Sequence, residues 1–309
     1  MYKATTGEEF EEKVQDEVAQ LGGEQRWVYS LLCLATSQRE FLTKDEVLLA
    51  SGDAAAGALD ALDRLVARHI AVATPPRYYY TARHRVVADL VVTKLQQLGE
   101  LKDVFVRLAF AIASKVTPGT ERQGRIWRLL KRITNYKLLR RLVGVGGARE
   151  LYETAETLLA FDYHYWLQRG SLEVAAGDLR LAEQFLDQAR SLAPEDYKVE
   201  TEYGYLLMRK AVERPTDAEA EKLLTRGIDL LEDAILFRGS TDSYPVHVLG
   251  SQGLAWVHRA PLTDVEKRRF LDRLLNAAEQ GVRLHPRQRD LVQLRDDIRR
   301  EVLLTVVAT

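Results

Sequence analysis

Two glycines, Gly170 and Gly204, stand 34 residues apart (204 − 170) inside segments whose apolar residues recur every three or four positions. That period is helical. A glycine inside a helix weakens it unless another backbone passes close by. Around the first glycine, Trp166 precedes by four, Ala182, Leu186 and Ala189 follow, and Pro194 closes the stretch. Small residues let the two helices of a hairpin approach, and proline stops the second helix before the next hairpin begins. Such spacing predicts stacked helical hairpins. From residue 100 onward the pattern holds only helices, broken at Pro118-Gly119, Gly144 to Gly147, Gly177-Asp178, Pro194, Pro215, Gly239-Ser240, Pro261 and Pro286. The glycines of GVGGARE predict a loop between helices, and RDLVQLRDDIRREVLL a capping helix at the end.

The first hundred residues read differently. Phe10, Val14 and Val18 mark an amphipathic helix that Gly22-Gly23 ends. EQRWVYSLLCLATS carries few charges and predicts a buried helix. Thr43 is an N-cap for KDEVLLASG, which Gly52 closes, and Asp53 caps a third helix bearing Leu59, Leu62 and Leu65. Ile70-Ala71-Val72 and Arg77–Thr81 are β-prone, with Pro75-Pro76 as a turn between them. A helix over about 82–98 resumes from that hairpin. Three helices followed by a hairpin is the winged-helix order. The predicted fold is mainly α: a linker helix over 1–23, a winged helix with a small β-hairpin over 24–98, and a helical solenoid over 99–309.

Composition narrows the function. The 309 residues carry a net charge of −1, so no whole-chain field draws the protein to nucleic acid or membrane. The single cysteine, Cys33, cannot form an internal disulfide, which points to a reducing, cytoplasmic setting. It reads as a small core residue rather than a nucleophile. No stretch reaches the ~18 apolar residues of a membrane helix, and the acidic N-terminus is unlike a signal peptide. The six histidines are scattered and no metal-ligand spacing occurs. There is no G-x-x-x-x-G-K-[ST] and no G-x-S-x-G, so no catalytic role is expected of this chain.

The segment from Trp166 to Pro194 resembles a tetratricopeptide repeat, whose period is about 34 residues. Arg169 and Glu173 replace the repeat's usual Leu and Tyr, and the next loop is enlarged around Pro215. Winged helix plus helical repeats together resemble the C-terminal half of STAND-type NTPases, a group that includes bacterial anti-phage sensors. In that group a histidine just after the wing, within a Met-His-Asp motif, reaches the β-phosphate of ADP. Here the run is Arg83-His84-Arg85. The resemblance implies that His84, with Arg83, senses nucleotide. It also implies an ATPase upstream or on a partner chain, ADP or ATP bound there, and a protein trigger, such as a phage protein, on the repeats. Helix N-termini and imidazole both suit a phosphate. The other reading of His84 is a residue that merely caps or packs the junction.

Two further clusters are candidates. Arg122, Arg125, Arg128 and Arg132 share one helical face in a basic stretch that also holds Lys131, Lys137, Arg140 and Arg141. It suits an acidic protein surface or nucleic acid; the other reading is a solvated face, or one that pairs with acidic helices of the same protein, for which ARELYETAETLL is acidic enough. In FDYHYWLQRG, Trp166 reads as repeat core, while Tyr163, Tyr165 and Gln168 are candidates for a partner-binding face, with Tyr203 and Tyr205 one repeat later. Core packing is the competing account of these tyrosines. A transcription regulator is the alternative function, but the third helix carries Asp53, Asp60 and Asp63 against Arg64 and Arg68, which disfavours docking on phosphates. A plain repeat scaffold is the third.

Overall fold

The structure, a computed structural model, describes residues 7–75 and 79–307. Pro76, Arg77 and Tyr78 of the predicted hairpin lie outside the described residues, as does the side chain of Phe10. Among the described residues the chain forms fifteen α-helices and one three-stranded antiparallel sheet. It is mainly helical. It divides into two compact units, Met1–Tyr165 and Trp166–Thr309. The sequence placed its main boundary at 98/99.

The first unit opens with α1 (Gly7–Ala19) and α2 (Gly23–Ser37). The low charge of α2 has its expected consequence: Val28, Leu31, Leu32, Cys33 and Leu34 are wholly buried. Burial also pushes the Cys33 thiol well above its ordinary pKa, leaving it un-ionised and inert. Next come β1 (Leu42–Thr43) and α3 (Lys44–Ser51). Thr43 is the N-cap of α3 in a reciprocal box, with Glu46 returning a carboxylate oxygen to the Thr43 N–H at 2.9 Å. Asp53 does not cap the third helix. It lies in a 3-10 turn, Gly52–Ala54, and α4 (Ala55–Ala67) starts from Ala54 without a side-chain cap.

The hairpin is β2 (Ala71–Thr74) and β3 (Tyr79–Ala82). The strand order is β1-β3-β2, with Leu42 opposite Tyr80 and Val72 opposite Thr81. The Ala82 N–H donates to Thr36 Oγ1 at 3.0 Å and ties the sheet to α2. Helix α5 (Arg85–Gln97) then packs on α2. Three more helices belong to this unit, which is why it outruns residue 98: α6 (Leu101–Ala113), α7 (Arg125–Ile133) and α8 (Tyr136–Leu159). Phe105, Leu108 and Ile112 of α6 are wholly buried, and the helix packs on α2, α3 and α8. The predicted glycine loop shrinks to one residue. Gly144 alone leaves the helical region, at φ 74° and ψ 178°, a conformation open to glycine, and the helix continues on either side.

The second unit holds most of α9 (Tyr163–Ala176), then α10 (Leu179–Leu192), α11 (Tyr197–Glu213), α12 (Ala220–Arg238), α13 (Tyr244–Arg259), α14 (Asp264–Leu284) and α15 (Arg289–Val307). Each of α10 to α15 packs on its sequence neighbour. Asp178, Asp196 and Thr263 cap α10, α11 and α14 through their side chains. Glycines mark the closest approaches. A Cβ on Gly170 would lie 2.6 Å from Leu186 Cγ, and Gly204 and Gly227 face each other across α11 and α12. Trp256, Leu271, Leu274, Leu291 and Ile298 fill the core of the last hairpins. Trp166, predicted as core, is only half-buried and tilts against Phe185 with ring centroids 5.8 Å apart. Among the described residues no helix is long and apolar enough to cross a membrane.

Candidate functional site

The basic face of α7 is turned inward. Arg125 pairs with Glu46, which is 1% exposed, and also donates to the Phe41 carbonyl at 3.0 Å. Arg128 and Arg132 reach Glu40, 6% exposed, at 3.3 and 3.1 Å. Arg122 donates to Asp162, 1% exposed, at 2.7 Å, with its guanidinium over the Trp127 and Tyr163 rings. Four arginines thus meet three buried carboxylates. A carboxylate at such depth costs several kcal/mol unless a cation and hydrogen bonds satisfy it. The face therefore helps hold the unit together: Arg125 is drawn in, at 17% side-chain exposure, while Arg122, Arg128 and Arg132 keep 47%, 52% and 40% of theirs exposed. Their partners are Glu40, Glu46 and Asp162 rather than the acids of ARELYETAETLL.

His84 stands at the N-cap position of α5, exposed, with no side-chain cap bond. Neighbouring Arg83 is held by Glu17 of α1 at 2.5 Å, and Arg85 faces Asp89 one turn on, at 3.6 Å. All three are exposed, and among the described residues His84 alone of the trio has no carboxylate paired with it.

The tyrosines proposed for the repeats do not form one outward surface. Tyr165 is 2% exposed and its hydroxyl donates to the Tyr152 carbonyl at 2.7 Å. Gln168 and Tyr203 are buried as well. Tyr163 is half-buried against Arg122, and Tyr205 packs on the last hairpins' core. Burial takes Tyr165, Gln168 and Tyr203 out of direct partner contact. Burial, then the nearby carboxylates of Asp187 and Glu183, push the Tyr203 phenol above its usual pKa, so it stays protonated.

An exposed concave surface lies instead between the end of α10, the start of α11 and the last turns of α12. It is a groove of about 700 Å³, lined by Arg190, Tyr197, Glu200, Leu230, Asp233 and Phe237 among others. Arg190 is fixed there: it makes two hydrogen bonds to Glu200, at 2.8 and 3.2 Å, and its guanidinium sits 4.3 Å above the Tyr203 ring. Beside the groove, Leu236 and Phe237 are 79% and 76% exposed, an apolar pair that the unit's own core does not claim. Comparison of the chain with protein-family models, with curated proteins and with solved structures returned no match.

The groove presents apolar walls, a clamped Arg–Glu pair, and the carboxylates of Glu195 and Asp233 at its border. Among the described residues no group of three or more His, Cys, Asp or Glu could hold a metal ion. Sequence reasoning missed Tyr197 and Phe237. The signal in reach was Phe237 itself, a large apolar residue beside Leu236 at the end of a helix, where one of two adjacent positions must leave the core face.

Proposed function

We propose that this chain is a non-catalytic interaction module, the sensor half of a STAND-type NTPase. In this reading α2 to α5 with the sheet form a winged helix that relays nucleotide state, and α9 to α15 form tetratricopeptide-like hairpins that capture a protein trigger. Support for the winged helix comes from the order helix, strand, helix, helix, strand, strand, with the short first strand paired to the last. Support for the repeats comes from glycines at successive helix contacts. The observation that carries the binding role is the groove beside Leu236 and Phe237. Arg190 and Glu200 neutralise each other, which leaves Glu195 and Asp233 to set the sign. The ligand is then a protein segment with an apolar anchor next to Lys or Arg.

Selection from a displayed random-peptide library on the intact chain tests this directly. Enriched sequences should carry an aromatic or aliphatic residue flanked by a cation. Phe237→Ser, at an exposed position that should not perturb folding, should weaken their binding at least ~10-fold. An unenriched library, or binders indifferent to Phe237→Ser, would overturn the groove as the trigger site.

In the same reading His84, with Arg83 beside it, meets the nucleotide of an NTPase supplied upstream or in trans. His84→Ala in the assembled NTPase should raise basal activity and speed ADP release by roughly tenfold or more, the worth of a charged hydrogen bond at ~1.5–3 kcal/mol. Nucleotide retention after gel filtration reads this out. Equal retention in parent and variant removes His84 from the switch.

A further inference from the structure

The kind of segment that suits the groove of the second unit, an apolar anchor beside a cation, also stands in the chain itself, at Leu236-Phe237-Arg238. These residues close α12, at the lip of that groove. Leu230, Asp233 and Phe237 are spaced i, i+3 and i+7, so one stripe of α12 forms the groove wall. A second stripe, with Leu224, Ile228 and Leu231, fills the unit's core. Leu236 belongs to neither stripe. It is 79% exposed and stands next to Phe237, itself 76% exposed, as part of one apolar patch.

The charges around this patch are complementary. Arg238 is exposed, with its guanidinium 5.4 Å from the centroid of the Tyr197 ring that lines the groove. Glu195 and Asp233 are exposed at the border of the same groove. Anchor, cation, groove and carboxylates thus lie together on one face of one unit. A face that carries both a site and the ligand suited to it is self-complementary. A two-fold axis sets each anchor on the other's groove, and association closes at two. With a net charge of −1, little whole-chain repulsion opposes the approach of a second copy.

We propose that the groove binds a second copy of this chain through an isologous contact. Leu236 of each copy meets the groove wall of the other, and Arg238 of each faces Glu195 and Asp233 of the other. The inference rests on the groove being the recognition site proposed above, and it gives that site a first occupant. Self-association and trigger capture then compete for one surface. A trigger segment must displace the second copy, so its apparent affinity falls as the concentration of the chain rises.

Sedimentation velocity of the full chain over a concentration series is the test. A reversible monomer–dimer equilibrium is expected, weakened by salt and without larger species. Leu236→Asp should weaken the dimer ~100-fold, from a ~10-fold effect at each of two equivalent contacts. Arg238→Glu and Asp233→Arg should each weaken it at least ~10-fold, because like charges then meet across the axis. All three positions are exposed, which keeps folding out of the comparison. Mixing the Arg238→Glu chain with the Asp233→Arg chain should recover most of the lost affinity, since both contacts of the mixed dimer then pair opposite charges. Recovery on mixing is an effect that a change within one chain would not give. Leu236 does not line the groove, so Leu236→Asp should still bind peptides selected from the displayed library. The two readings therefore fail separately. An unenriched library sinks the trigger site. A chain that stays monomeric throughout the series, a dimer that survives Leu236→Asp, or charge-reversed chains that do not recover on mixing overturns the self-contact.

Discussion

Replacing Glu46 with alanine should destabilise the first unit by about 3–5 kcal/mol, the usual cost of removing one partner of a buried ion pair. Glu46 does two jobs at once. One carboxylate oxygen closes the capping box on the Thr43 N–H, and the other takes the Arg125 guanidinium. The cap alone is worth ~1 kcal/mol. The larger share comes from Arg125, whose side chain is only 17% exposed and would keep just the Phe41 carbonyl and the face of the Phe41 ring. Glu46→Gln separates the two parts, since glutamine serves in a capping box but carries no charge; its loss should be intermediate. Pairing Glu46→Leu with Arg125→Met should recover at least half of the alanine penalty, because a buried ion pair is often replaceable by apolar side chains of similar volume. Because the chain has two compact units, its melting need not be two-state. Hydrogen exchange resolved to α2, α3 and α7 is therefore the better measure. A Glu46→Ala variant within ~1 kcal/mol of the parent across those helices would mean that the inward arginine face contributes little.

That face also marks a limit of reading the chain alone. Steps of three and four put Arg122, Arg125, Arg128 and Arg132 on one side of a helix, which the sequence states without ambiguity. What the side faces is another matter. Glu46 is 79 positions from Arg125, and Glu40 is 88 and 92 from Arg128 and Arg132. No periodicity carries pairing over such separations, so the sequence could point only to the nearest acidic helix as one possible partner, while the fold supplies Glu40, Glu46 and Asp162. Local chemistry was more legible. Thr43 as a cap, Gly52 as the end of α3 and the β2–β3 hairpin all follow from a few adjacent residues. Strand β1 did not follow, because two residues, Leu42 and Thr43, are too few to show a period of two. Asp53 failed as a cap because Gly52 turns the chain into a 3-10 step first. Tyr165 and Gln168 failed as partner-facing candidates for a related reason. Tyr165, Gln168 and Leu172 lie at i, i+3 and i+7, the spacing of an inward stripe, and all three are buried. The aromatic density of FDYHYWLQRG suggested an interface, but the stripe had already assigned part of it to the core. The groove escaped notice because its walls come from three helices, and only packing brings Arg190, Tyr197 and Phe237 together.

Glycine spacing was the feature from which the helical hairpins were inferred, and one pair of substitutions tests it by sign. Gly227 sits where α11 and α12 are closest: a Cβ there would lie 2.9 Å from the Gly204 carbonyl oxygen and 3.2 Å from the Met208 nitrogen. Both are backbone atoms, which cannot swing aside as a side-chain tip can. Gly227→Leu should therefore force the two helices apart and destabilise the second unit by roughly 3 kcal/mol, at the upper end of overpacking costs. The gain in helix propensity, ~1 kcal/mol, opposes this and is too small to offset it. Gly146 is the counterpart. It lies on an exposed turn of α8, with no atom within 4 Å of its would-be Cβ and an ordinary helical φ. There the propensity stands alone, and Gly146→Ala should stabilise the first unit by ~0.5–1 kcal/mol. Urea unfolding, read by hydrogen exchange in α12 for one variant and α8 for the other, gives both values. If Gly227→Leu leaves α12 as stable as the parent, α11 and α12 are not held at contact distance. The glycine spacing would then lose the close approach that gives it meaning, and the stacked hairpins would lose their sequence basis.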